Sequence, residues 1–165
     1  MDTIICIKTR RSRRNLLPGL VAVEKETIEK IVDCGRFAPT ANNLQPCDFI
    51  VITSRQMLQK LSNIAVNGSF MKSSAFCIIV VAKEIKYYLE DGCAATENIL
   101  LAVHDCGLSA CWVAGDKKDY ADSVLQLLGV PSEYKLISII PVGFSDQNGN
   151  IDKRELKDVL HWEKF

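Results

Sequence analysis

The chain has 165 residues, 48% of them hydrophobic and 24% charged, which suits one folded domain with a substantial buried core. Twenty Lys and Arg balance twenty Asp and Glu, so no overall positive field exists to hold a nucleic acid or an anionic membrane surface. No apolar run nears the roughly 20 residues that span a bilayer, and Met1 to Lys8 is too soon interrupted by charge for a secretory signal; a cytoplasmic location is expected.

In chain order, Asp2 is placed to cap a short helix through Lys8 that carries Ile4, Ile5 and Ile7. It leads into Arg10-Arg11-Ser12-Arg13-Arg14. After Pro18-Gly19, the spacing of Ile28, Ile31, Val32 and Cys34 predicts a helix over 24–37, stopped by Pro39. A short apolar strand over 47–53 and a helix over 54–64 capped by Ser54 follow. The continuous apolar run 75–82 predicts a strand covered on both faces.

A long helix over 87–106 carries small residues near its start, Gly92, Ala94 and Ala95, where another backbone can approach closely. Gly107 stands where a left-handed cap ends a helix. Beyond it the pattern predicts a strand over 108–114, a helix over 118–128, a strand over 134–144, a polar turn over 146–150 and a last short helix over 153–160. With no repeat, linker or low-complexity tract, residues 1–165 read as a single mixed domain of about four strands and six helices.

Seven cysteines, Cys6, Cys34, Cys47, Cys77, Cys93, Cys106 and Cys111, sit mostly in apolar segments and never as C-x-x-C, which argues against a disulfide framework. His104, Cys106 and Cys111 are close in sequence, but their spacing fits no common zinc or iron–sulfur pattern. With only His104 and His161 there is little material for a histidine-based triad or a zinc hydrolase. The chemistry is therefore expected to come from a cofactor.

Two segments are candidates for holding one. The arginine run offers four guanidiniums and a hydroxyl within five residues, donors that match a phosphate group. Taken alone it also reads as a solvated basic turn or as a nucleic-acid or import patch, the latter disfavoured by the charge balance. Pro39-Thr40-Ala41-Asn42-Asn43-Leu44-Gln45-Pro46 lies between a helix and a strand, its path stiffened by prolines and its amides able to donate and accept along the edge of a heterocycle. An ordinary polar turn is the alternative.

The arginine run, Ala38-Pro39-Thr40 with Asn43 and Gln45-Pro46, Gly107-Leu108 with Trp112, Ile140-Pro141-Val142-Gly143 and the late Arg154 occur in an order that resembles the FMN-dependent nitroreductase family along essentially the whole chain. The resemblance implies an α+β fold, a mostly antiparallel sheet flanked by helices in an intertwined homodimer, with FMN at the subunit interface. It implies that Arg10, Arg11, Ser12 and Arg14 form the first FMN loop, with Arg10 and Ser12 on phosphate or ribityl oxygens and Arg14 near the pyrimidine edge. Lys153 and Arg154 would be the second phosphate-side cations. Pro39, Thr40, Asn43 and Gln45 would border the isoalloxazine ring from the partner subunit, and the backbone of Ala114 and Gly115 would lie beside flavin N5, with Gly115 leaving room for a stacked ring.

The activity implied is transfer of hydride from NADH or NADPH through FMN to a small acceptor, a nitroaromatic or a quinone, by a ping-pong cycle that needs no protein acid, base or nucleophile. Two departures are visible: Cys47 where an aromatic residue is usual after Gln-Pro, and Thr40 where serine is usual. The short interval between Val81 and Asp91 implies a more open site than in larger relatives. Trp112, Phe70 and Tyr87 read either as pocket or as core. Competing readings are a specialised flavin enzyme of the same superfamily, acting in flavin fragmentation, dehalogenation or ene reduction, and a non-catalytic phosphate or RNA binder using the arginine run. No G-x-G-x-x-G follows a strand to indicate which nicotinamide is preferred.

Overall fold

The structure, a computed structural model, describes residues 1–18, 22–147, 149 and 152–165. Its elements are α1 (Thr3–Thr9), α2 (Lys25–Arg36), β1 (Cys47–Ile52), α3 (Arg55–Ile64), β2 (Phe76–Lys83), α4 (Tyr88–Asp105), β3 (Ser109–Ala110), β4 (Val113–Ala114), α5 (Ala121–Leu128) and β5 (Tyr134–Gly143). Local chemistry sets several boundaries as expected. Asp2 accepts from the backbone N–H of Ile4 and Ile5 to start α1, Ser54 accepts from Met57 N–H to start α3, and Gly107 follows α4 with a φ of 73° that a side chain would resist.

The five strands form one antiparallel sheet in the order β1-β2-β5-β3, with β4 also paired to β5. β2 is apolar throughout because both its faces are covered. Phe76, Ile78, Val80 and Ala82 pack toward α2 and α4, while Cys77, Ile79 and Val81 pack toward α3 and α5. The fold is thus α+β, a central sheet between helical layers.

Two irregularities shape the functional side. The sequence predicts one strand over 108–114, but β3 and β4 are separate pieces that share one register on β5: Ser109 opposes Gly143 and Val113 opposes Ile139. That register sets Cys111 opposite Pro141, which has no N–H to donate. The second is a bulge, where Val80 opposes Ser138 and Val81 opposes Leu136. The extra residue, Ile137, turns with Ser138 toward α4, where Ile137 joins the core and Ser138 exchanges a 2.8 Å hydrogen bond with Thr96.

Two segments differ from expectation, and one that the sequence left unassigned is helical. Asp119 and Tyr120 form a turn, and α5 starts only at Ala121. Val66–Ser73, which carries no helical period, is a 3-10 segment kinked at Gly68. The expected last helix is reduced to one 3-10 turn, Leu156–Asp158, because the tail has no packed surface beneath it. Among the described residues no helix is long and apolar enough to cross a membrane. The polar turn expected over 146–150 lies partly outside the described residues.

Candidate functional site

The arginine run leaves α1 in an extended conformation and lies along β3. Ser12 bridges Ala110 in parallel, and Arg13 N–H donates to Ala110 O at 2.9 Å. An extended chain sends successive side chains to opposite sides, so the run is divided. Arg11 and Arg13, with Arg10, line a cleft of about 270 Å³ shared with His104, Ser109 and Ser145. Ser12 and Arg14 lie on the other side beside Cys111, whose thiol is pushed up by burial against the opposing influence of Arg14, Ser12 and Arg10.

The cleft is strongly basic. Arg11 Nη1 donates to the carbonyls of Lys8 at 2.7 Å and Arg10 at 2.8 Å, capping the end of α1 with positive charge. Arg13 Nη2 donates to Gly149 O at 3.3 Å. Arg10 Nε lies 3.3 Å from Glu97 of α4. Neither Arg10 Nε nor Arg11 Nε makes a hydrogen bond among the described residues, although both atoms are buried. Buried donors without a hydrogen bond are costly, and three guanidiniums facing one carboxylate leave the cleft suited to a further anion such as a phosphate group. His104 meets Thr9 Oγ1 at 2.9 Å, and burial followed by Arg10, Arg11 and Arg13 lowers its pKa.

The Pro39–Pro46 loop is built on strained backbone. Asn42, Asn43 and Gln45 have φ of 53°, 54° and 50°, a region that non-glycine residues seldom occupy. Thr40 Oγ1 accepts from Gln45 N–H at 3.1 Å, and Asp91 Oδ1 of α4 accepts from Ala41 N–H at 3.0 Å. The side chains of Asn42, Asn43 and Gln45 are exposed. Cys47, just beyond, is held protonated: burial, then Asp91 and Asp48, raises its pKa to about 11.

Ala114 is exposed at the end of β4, and its carbonyl accepts from Tyr120 Oη. Gly115 has a different reason to be glycine than room for a stacked ring. A Cβ there would come within 2.5 Å of Leu136 Cγ and 2.9 Å of Leu136 O, and its N–H donates to Ile137 O at 3.0 Å. Glycine lets this corner close onto β5. Trp112 and Phe70 are partly buried against the two core clusters, while Tyr87 is exposed with the Lys86 ammonium 4.9 Å above its ring.

Within one chain the structure brings Arg10, Arg11 and Arg13 together and leaves Asn43 and Gln45 exposed, with Thr40 half-buried and its hydroxyl turned to Gln45 N–H. Lys153 and Arg154 are exposed on the tail, where Arg154 Nη2 donates to Asp158 O. Sequence reasoning counted Arg13 in the run without giving it a role, weighed His104 only as a metal ligand, and passed over Glu97 and Asp91; the last three reach the site from α4, far along the chain, and only polar residues on a mostly apolar helix hinted at them. Among the described residues no group of three or more His, Cys, Asp or Glu is placed to hold a metal ion, and all seven cysteines are free.

The architecture is an antiparallel sheet between helical layers, of the α+β type, with a basic cleft at the end of α1. The chain belongs to the nitroreductase family, whose model matches residues 7–72 and 65–144. A protein of Methanothermobacter thermautotrophicus provisionally named NADH dehydrogenase/NAD(P)H nitroreductase is 32% identical over 171 residues, spanning 100% of this chain and 88% of that protein. The crystal structure of an FMN-dependent nitroreductase from Clostridium difficile superposes with a TM-score of 0.88 at 29% identity, covering 98% and 99% of the two chains. A Desulfovibrio desulfuricans protein, provisionally named a nitroreductase and solved in complex with FMN, superposes at 0.85 and 28% identity, covering 100% and 98%.

Proposed function

We propose that the chain binds FMN and passes hydride from NADH or NADPH to a small acceptor, a nitroaromatic or a quinone, as a homodimer. FMN supplies the redox chemistry, and the protein binds, orients and charges it. The observation that carries this reading is the convergence of Arg10, Arg11 and Arg13 on one cleft of about 270 Å³, in which Arg11 Nε is buried without a hydrogen bond among the described residues and Arg10 is met only by the partly exposed Glu97. The complex of the Desulfovibrio relative with FMN supports the choice of anion.

On this reading Arg10 and Arg11 hold the phosphate, with Lys153 and Arg154 joining from the tail, and Ser12, on the other side of the run, reaches the ribityl oxygens. Arg14, on the opposite side of the run, faces the pyrimidine edge, where a cation favours the reduced, more negative ring. Thr40, Asn43 and Gln45, framed by Pro39, approach the ring from the second subunit, and Ala114 and Gly115 border the atom that exchanges hydride. The shortage of histidine agrees with chemistry that needs no protein base.

Surface apolarity supports a dimer. Ile4, Ile5 and Ile7 on α1 are each more than half exposed, and the tail exposes Leu156, Trp162 and Phe165 at 69%, 80% and 107%. The tail's hydrogen bonds among the described residues all stay within it. Such surface is stable in water only when covered, and a second copy covers both at once. Initial rates measured against NADH or NADPH and a quinone should give parallel double-reciprocal lines, with donor and acceptor competing for one pocket; intersecting lines would contradict the shared pocket.

A further inference from the structure

Asp91 is the one buried charged side chain among the described residues, 5% exposed. It stands in the first turn of α4, where a negative charge is favourable, but Glu90 beside it meets that need at the surface. One of its oxygens, Oδ2, is buried with no hydrogen-bond partner among the described residues. A half-satisfied buried carboxylate lowers stability, so its place calls for a task at its other oxygen.

The task visible in the structure is at Oδ1, which accepts from Ala41 N–H at 3.0 Å. Ala41 opens the stretch in which Asn42, Asn43 and Gln45 occupy left-handed φ. Each such residue costs on the order of 1–3 kcal/mol and persists only where the surroundings over-determine it. The other hydrogen bonds of residues 40–45 remain within the loop: Asn43 N to Thr40 O, Leu44 N to Ala41 O, Gln45 N to Thr40 Oγ1 and Gln45 Nε2 to Asn43 O. Asp91 is therefore the hydrogen-bonded tie between the strained loop and the rigid helix.

We propose that Asp91 is a positioning residue: by anchoring Ala41 N–H to α4 it fixes the loop conformation in which Thr40, Asn43 and Gln45 meet the flavin ring of the partner subunit. The inference rests on the FMN reading above. Anchoring to a helix, rather than through the loop's own turns alone, holds the amide side chains outward without a ligand to template them. The ring then meets a formed surface, and little of the binding free energy is spent on ordering the loop.

Three variants of the full chain test this. Asp91→Ala removes the acceptor, and Asp91→Asn keeps an acceptor oxygen. Ala41→Pro removes only the donor, at a position where Thr40 is already extended, with φ −130° and ψ 148°, as a residue before proline requires. Asp91→Ala and Ala41→Pro are expected to weaken FMN binding about tenfold or more and to change the visible absorbance of the bound flavin. Asp91→Asn should stay close to wild type in both, and Ala41 amide exchange, measured without FMN, should accelerate in Asp91→Ala but not in Asp91→Asn. Wild-type affinity and spectrum in both Asp91→Ala and Ala41→Pro would overturn the proposal while leaving the FMN reading intact; a wild-type protein that takes up no FMN would overturn both. If Asp91→Ala does not fold, Ala41→Pro against Asp91→Asn decides the matter alone.

Discussion

Replacing Arg10 with glutamine separates the contribution of its charge from that of its bulk. Its guanidinium has a buried Nε without a hydrogen bond and a carboxylate, Glu97, 3.3 Å away. A charge-assisted hydrogen bond to a phosphate is worth about 1.5–3 kcal/mol, so Arg10→Gln should raise the Kd for FMN by roughly 10- to 150-fold. The pair with Glu97 is only partly shielded, at 25% and 44% side-chain exposure, and contributes about 0.2–1 kcal/mol. Without Arg10, the Glu97 carboxylate is left at the cleft and repels the phosphate, so adding Glu97→Gln should restore about two- to fivefold of the loss. Fluorescence titration with FMN and with riboflavin, which lacks the phosphate, is the assay. Riboflavin affinity should stay within about twofold of wild type in both variants. Equal losses for FMN and riboflavin, or unchanged FMN affinity, would refute the assignment of Arg10 to the phosphate.

His104 has its pKa lowered, first by burial and then by Arg10, Arg11 and Arg13, so below its ordinary value of 6.5 the unfolded chain takes up a proton that the folded chain does not. Its contribution to stability is complete above that value and is lost as pH falls through the lower folded value. The melting temperature of wild type should therefore drop more on acidification than that of His104→Gln, and a parallel fall in both would refute this; on binding FMN, the added negative charge should move the His104 imidazole resonance toward a higher pKa. Gly115→Ala should lower stability by about 1–3 kcal/mol in urea unfolding, because the new Cβ meets the Leu136 carbonyl at 2.9 Å; a neutral result would mean that β4 shifts freely. Removing residues 152–165 should convert a dimer to a monomer in light scattering and reduce FMN retention with it, whereas a truncated chain that stays dimeric would assign the interface to the helices alone.

Much of the fold was legible because local and long-range signals agree. Asp2, Ser54 and Gly107 act through their own neighbours, and the unbroken apolar run of β2 can only be covered on both faces. The break between β3 and β4 was not legible, since it depends on Pro141 standing opposite Cys111 across the sheet. The tail misled for a related reason: its charge pattern is helical, but a short helix forms only against a surface. At the site, the arginine cluster was plain, yet its division into two faces needed the bridge from Ser12 to Ala110. Glu97, His104 and Asp91 became visible only when α4 was packed beside α1 and the Pro39–Pro46 loop.

The central claim is that this chain holds FMN and reduces it with a nicotinamide. The purified protein, reconstituted with FMN and freed of excess, should show a visible flavin spectrum at one FMN per chain that bleaches anaerobically on adding NADH or NADPH and returns when a quinone is added. A protein that stays colourless after reconstitution, or a bound flavin that neither nicotinamide bleaches, would contradict it.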